Sequence, residues 1–153
     1  NQSLKFFSML LNLVGSSNAD NKEILWKFIN KFHKEIKPSE YPILDGLTEY
    51  AINYFKDKVE PNKKFKKPNS EEKKALENLV LKLKEIDQSL KPEEIQTFVY
   101  SIGKENGYEK NLRDWFKLIY EVVFGEENGP RMGYFISFFG LNETIELINE
   151  KIK

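Results

Sequence analysis

The chain has 153 residues, enough for one domain or two small subdomains sharing a core, with 24 basic and 24 acidic side chains, one histidine and no cysteine. The missing cysteine excludes a disulfide framework and thiolate chemistry and points to a reducing compartment, the cytoplasm. Zero net charge excludes a whole-chain attraction to nucleic acid and leaves only local patches.

Almost every segment reads as helix. Leu4, Phe7, Leu10, Leu11 and Val14 recur at helical spacing, and Gly15-Ser-Ser-Asn-Ala19 is expected to stop that first helix. Phe6 to Val14 is apolar but carries an asparagine, and fits a buried helix better than a secretory segment. No apolar run reaches the roughly 18 residues of a membrane span. Because the chain begins at Asn1 rather than methionine, it reads as a fragment of something longer.

Asp20, with Glu23 three residues on, is expected to open a second helix as a capping box, its apolar positions being Ile24, Leu25, Phe28, Ile29 and Phe32. Pro38 and Pro42 bracket a connector. A third helix then carries Ile43, Leu44, Leu47, Tyr50, Ala51, Tyr54 and Phe55 and ends near Pro61, since proline disfavours helical geometry in the residue before it. A lysine-rich loop runs from Pro61 to Asn69. Ser70 is the expected cap of a fourth helix, with Leu76, Leu79, Val80 and Leu83 inward.

Pro92 suits the first turn of a fifth helix, which buries Ile95, Phe98, Val99 and Ile102 and ends at Gly103 and Gly107. A sixth helix, Asn111 to Gly125, is apolar on two adjacent faces: Leu112, Phe116, Ile119, Tyr120 and Val123 on one, Trp115, Leu118 and Val122 on the other. It is therefore expected to be central. The corner Gly129-Pro-Arg-Met-Gly133 leads to a short seventh helix, with Pro130 at its first position, and Asn142 is the expected cap of an eighth. The fold class is all-α, about eight helices around a shared core, with a division into subdomains 1–68 and 69–153.

Little here supports catalysis. One histidine, His33, and no cysteine leave no ordinary zinc site. No nucleophile elbow or glycine-rich phosphate loop occurs. No catalytic residue, metal or cofactor is assigned to the chain.

Two places remain. In the loop, Lys63, Lys64, Lys66 and Lys67 surround Phe65. The lysines suit phosphate contacts and Phe65 suits a base to stack on, or the loop is solvated and Phe65 anchors it to the core. At the corner, free amides at a helix start beside Arg131 suit a phosphate or base edge, with Tyr134 free to face a ligand. In the alternative, Arg131 pairs with Glu121, Glu126 or Glu127 and Gly133 serves close packing.

The run Asp114, Trp115, Phe116, Tyr120, Gly125, then Gly129-Pro-Arg-Met-Gly-Tyr-Phe-Ile136 and Gly140, resembles the C-terminus of class I lysyl-tRNA synthetases. So do Leu10-Leu-Asn-Leu-Val14 with Asn18-Ala-Asp20 and Leu25-Trp26, and Tyr50-Ala-Ile-Asn-Tyr54 leading to Val59-Glu-Pro-Asn-Lys-Lys64. The resemblance spans almost the whole chain. It implies an anticodon-binding helical cage whose partners are the anticodon arm of tRNA(Lys) and the enzyme's own catalytic Rossmann domain. The nucleotide-binding motifs of that domain are absent here, so ATP belongs to it and not to this chain. Under the resemblance Arg113 joins Arg131 and Tyr134 as a base or backbone contact, and the lysine loop becomes a phosphate contact. A monomer is expected. The competing reading is a helical protein-interaction module without RNA binding.

Overall fold

The computed structural model describes residues 2–153, with side chains from Leu4 onward. Among the described residues there are eight α-helices and no strand, so the fold is all-α. The chain divides into two compact units, 1–63 and 64–153, with the boundary inside the lysine loop.

The first unit contains α1 (Gln2–Ser17), α2 (Lys22–Phe32) and α3 (Pro42–Tyr54). α1 stops within the expected stretch: it ends at Ser17, where Asn18 turns left-handed, φ 53°, and Gly15 itself still lies in the helix. Gly15 marks close packing instead, because a Cβ there would lie 2.9 Å from the Phe55 ring. α2 is capped by Asn21, whose side chain accepts from the Ile24 amide, and not by Asp20. α3 continues through a π-type turn (Phe55–Val59) into a 3-10 turn (Glu60–Asn62), so the helical path ends at Pro61 as its sequence implies.

Leu10, Leu13, Leu25, Trp26, Ile29 and Ala51 fill this unit's core. Asp45 on α3 ties in α2: one oxygen accepts from the Trp26 indole at 3.0 Å, the other from Lys22 Nζ at 2.8 Å. Those bonds, the lysine's foremost, hold the Asp45 carboxyl below its ordinary 3.8. The same bond raises Lys22 above 10.5.

The second unit contains α4 (Ser70–Leu83), α5 (Pro92–Gly103), α6 (Leu112–Ile119), α7 (Met132–Phe139) and α8 (Leu141–Lys151). Asn69, one residue earlier than expected, caps α4 in a full capping box with Glu72, because its side chain reaches the Glu72 amide at 2.8 Å. α6 extends through a π-type turn (Tyr120–Phe124) and stops where Gly125 adopts φ 70°. α8 is entered from Gly140 (φ 117°), not capped by Asn142.

Trp115, fully buried, donates to the Val99 carbonyl at 3.0 Å and lies on Gly103. Leu118, Ile119, Val122, Phe124 and Phe135 are buried in the same unit, and the Tyr108 ring lies 5.3 Å from Trp115. Trp115 is interior, while Phe116 and Phe138 are half-buried. α5 and α7 make the most intimate crossing of the unit. There Gly133 faces the backbone of α5, and an added Cβ would sit 2.0 Å from the Pro92 carbonyl oxygen and 2.8 Å from the Gln96 nitrogen.

Two outcomes follow from this packing. Gly133→Ala pushes a methyl into backbone that cannot swing aside and should cost about 3 kcal/mol, whereas Gly46→Ala on exposed α3 should stabilise by about 0.5 kcal/mol; denaturant titration measures both. The depressed Asp45 pKa means its contribution is present above the ordinary carboxylate range and lost as pH falls through the folded value. Asp45→Asn should therefore flatten the acid side of a melting-temperature-against-pH curve, while leaving its neutral plateau lower.

Candidate nucleic-acid interface

The lysine loop is less free than its sequence implies. The α6 terminus leaves carbonyls without helical partners. Two of them are taken up by the loop: the Lys64 amide donates to the Gly125 carbonyl at 2.9 Å and the Lys66 amide to the Glu121 carbonyl at 3.0 Å. Phe65 rests against Gly125, where a Cβ would come within 3.2 Å of its ring, and Lys151 Nζ stands 3.9 Å over that ring. Phe65 is 49% exposed and also anchored, so a base stacking on the lysine-covered face must displace Lys151.

The four loop lysines diverge. Lys63 belongs to the first unit, where its ammonium lies 5.2 Å from the Phe55 ring centre. Lys66 pairs with Glu72 at 2.8 Å, which raises the lysine's pKa. Lys64 and Lys67 are exposed and make no ion pair among the described residues. A cleft of about 240 Å³ opens beside Lys66, lined also by Glu72, Tyr108, Asp114, Lys117 and Glu121. Three carboxylates against two ammonium groups make it a poor phosphate site.

At the corner, Pro130 is not the first helical residue. The helix begins at Met132, with Arg131 as its extended N-cap (φ −62°, ψ 120°). Buried Pro130 is held from below: the Tyr120 hydroxyl donates to its carbonyl at 2.9 Å, and Gly129 lies on the Tyr120 ring. Burial of Tyr120 pushes its pKa up to about 12, so that donor stays protonated.

The helix start does not offer a free anion cradle. The buried Gly133 amide donates to Gln96 Oε1 at 2.7 Å, occupying the position a phosphate oxygen would take. Arg131 is exposed and forms none of the ion pairs with Glu121, Glu126 or Glu127 that its sequence neighbours suggest. Tyr134 is half-buried, and its hydroxyl donates to Glu93 Oε1. That bond, with help from the Glu93 backbone, Lys91 and Arg131, holds the Glu93 carboxyl below the usual glutamate range; the same bond, with burial and against the Arg131 charge, raises Tyr134.

Arg113 occupies the first turn of α6, where the helix dipole disfavours a cation, so helix stability does not account for it. Arg113, Phe116 and Tyr120 follow one another at spacings of three and four along α6 and its π turn. The Phe116 and Tyr120 rings are 6.3 Å apart, and Tyr120 feels the Arg131 charge. Arg113 thus precedes the two rings on one face of the helix by its spacing, and the bond from Tyr120 to the Pro130 carbonyl links the second ring to the residue before Arg131.

Tyr100 and Glu93 complete this surface, with buried Gln96 beneath it, and the sequence alone does not single them out. Their spacing along α5, three and then four residues, is legible there. The elements they face are set only by the crossing with α7. Among the described residues, no cluster of three or more His, Asp or Glu side chains is arranged to hold a metal, and no helix is long and apolar enough to cross a membrane.

No family model matches the chain, and no solved structure matches it. Curated relatives do. The chain is 40% identical over 146 residues to a lysine–tRNA ligase of Rickettsia bellii, covering 95% of this chain and 28% of that protein. Lysine–tRNA ligases of Rickettsia felis and Rickettsia prowazekii are each 38% identical over the same shares. The chain thus spans little more than a quarter of the length of these relatives, and its resemblance to lysyl-tRNA synthetases is borne out along nearly its whole length.

Proposed function

We propose that this chain is the anticodon-binding part of a class I lysine–tRNA ligase, and that it binds the anticodon arm of tRNA(Lys) without itself catalysing a reaction. Lysine activation with ATP belongs, in this reading, to a catalytic domain elsewhere in a monomeric, cytoplasmic parent enzyme. The observation that carries the proposal is the match of 95% of the chain to one stretch of lysine–tRNA ligases. The surface chemistry is consistent with it, since Lys64, Lys67, Arg113 and Arg131 are exposed and uncommitted to ion pairs among the described residues.

An anticodon presents splayed bases and a turning phosphate backbone. Bases are read by stacking and by hydrogen bonds to their edges, phosphates by lysines whose contacts release counterions. The row from Arg113 through Phe116 and Tyr120 to Arg131 suits the first task. Lys64 and Lys67 suit the second.

Fluorescence titration of the 153-residue chain with tRNA(Lys) and with the same tRNA carrying an altered anticodon tests this. The cognate tRNA should bind roughly ten-fold tighter or better, as expected for one good base recognition. Equal affinities at physiological salt would remove the anticodon reading. Reversing Lys64 and Lys67 to glutamate should weaken both tRNAs alike and lower the salt slope by about one for each phosphate no longer neutralised. Unchanged tRNA affinity in that double variant would favour the protein-interaction module.

A further inference from the structure

Glu93 is out of place on a surface built for a polyanion. A carboxylate repels phosphate, and Glu93 is not one half of an ion pair among the described residues. It is exposed and it is held: one oxygen accepts the Tyr134 hydroxyl, and the Arg131 charge acts on both groups. Ionised, it can only accept hydrogen bonds, about four in all. The Tyr134 hydroxyl and its own backbone leave part of that capacity open to a ligand.

Two turns further along α5, about 10 Å by helix geometry, stands Tyr100. Its ring is 36% exposed and meets Phe116 edge-on at 4.8 Å. One helix thus carries an aromatic ring and, two turns before it, a fixed acceptor, and the guanidinium charge of Arg131 acts on that acceptor. A phosphate site needs neither the face nor the acceptor. A base needs all three.

We propose that this surface holds one unstacked RNA base, with Tyr100 and Phe116 against its face and the Glu93 carboxylate against the middle of its Watson–Crick edge, so that Glu93 selects uracil or guanine over adenine or cytosine. The proposal deepens the tRNA reading above and rests on it. Uracil and guanine carry an imino N–H at the middle of that edge, flanked by a carbonyl to which Arg131 donates. Adenine and cytosine present a ring-nitrogen lone pair there, which sets two acceptors face to face without a proton between them. Sites that match polar groups in this way reject the wrong partner strongly, because the mismatch leaves desolvated groups unpaired. Tyr134 is a positioning residue: its proton is committed to Glu93 and fixes the direction in which the carboxylate points.

The test titrates the chain with single-stranded hexanucleotides of uridine, adenosine and cytidine at low salt. The unmodified chain should bind oligouridine roughly ten-fold tighter than the other two. Glu93→Ala should abolish that preference. Glu93→Gln should level it from the other side, because the amide also donates, so oligoadenosine and oligocytidine tighten more than oligouridine. Glu93 is exposed in the first turn of α5, and thermal melts of both variants confirm that they fold. A uniform gain for all three oligonucleotides in either variant would reduce Glu93 to a repelling charge and overturn the inference. Absence of binding or of any preference in the unmodified chain would do the same. Titration of the same proteins with cognate and altered tRNA(Lys) separates the two claims. If Glu93→Gln discriminates those tRNAs as well as the unmodified chain does, the base site falls and the anticodon reading stands. If oligonucleotide preference follows Glu93 while the tRNAs bind alike, the anticodon reading falls and the base site stands.

Discussion

The hydrogen bond from the Gly133 amide to Gln96 Oε1 is the interaction on which the second unit's surface depends. A buried amide must be paired, and a glycine is needed for α7 to come close enough to α5 for a side chain to reach it. Once α7 is seated there, Arg131 is fixed as its N-cap and Tyr134 is brought to Glu93. The Tyr120 hydroxyl then fastens the corner to the end of α6 through Pro130. Three helices are aligned by these bonds, by the Trp115 indole's bond to the Val99 carbonyl and by one missing methyl group.

α6 distributes its side chains over three tasks according to their phase on the helix. Trp115, Leu118 and Val122 are buried. Asp114, Lys117 and Glu121, one position out of step, line the charged cleft. Phe116 and Tyr120 form the half-buried aromatic row that begins at Arg113. The end of the same helix supplies the carbonyls that extend the lysine loop. Hydrogen bonding at Lys64 and Lys66 fixes that stretch of backbone against the end of α6.

Helix existence and type are legible in the sequence because apolar residues recur at helical spacing from Leu4 to Ile152. Boundaries shift where two polar residues compete for a cap: Asn21 wins over Asp20, and Asn69 over Ser70. In each case the winner is the asparagine whose side chain reaches the third residue of the helix. Within the stretch from Gly15 to Ala19 that ends α1, Gly15 serves packing and Asn18 makes the turn, a division of roles that one dimension does not display. At the candidate site, Arg113, Arg131 and Tyr134 are legible as residue types, but their neighbours are not. Gln96 and Glu93 are 37 and 41 positions from the residues they bind, and nothing local marks them. The anion cradle expected at the corner is filled by Gln96 for the same reason.

That a glutamine fills the cradle has a consequence of its own. The amide does not titrate and carries no net charge, so the α5–α7 joint is indifferent to proton concentration and is scarcely screened by ions. Of the groups mounted on it, the carboxylate and the phenol bonded to it respond to proton concentration, and the carboxylate and the guanidinium, being charged, respond to ions. The molecule keeps its chassis blind to the solution while leaving its instruments responsive. Changes in binding with salt or acidity can then arise from the instruments alone, with the frame that aims them unmoved.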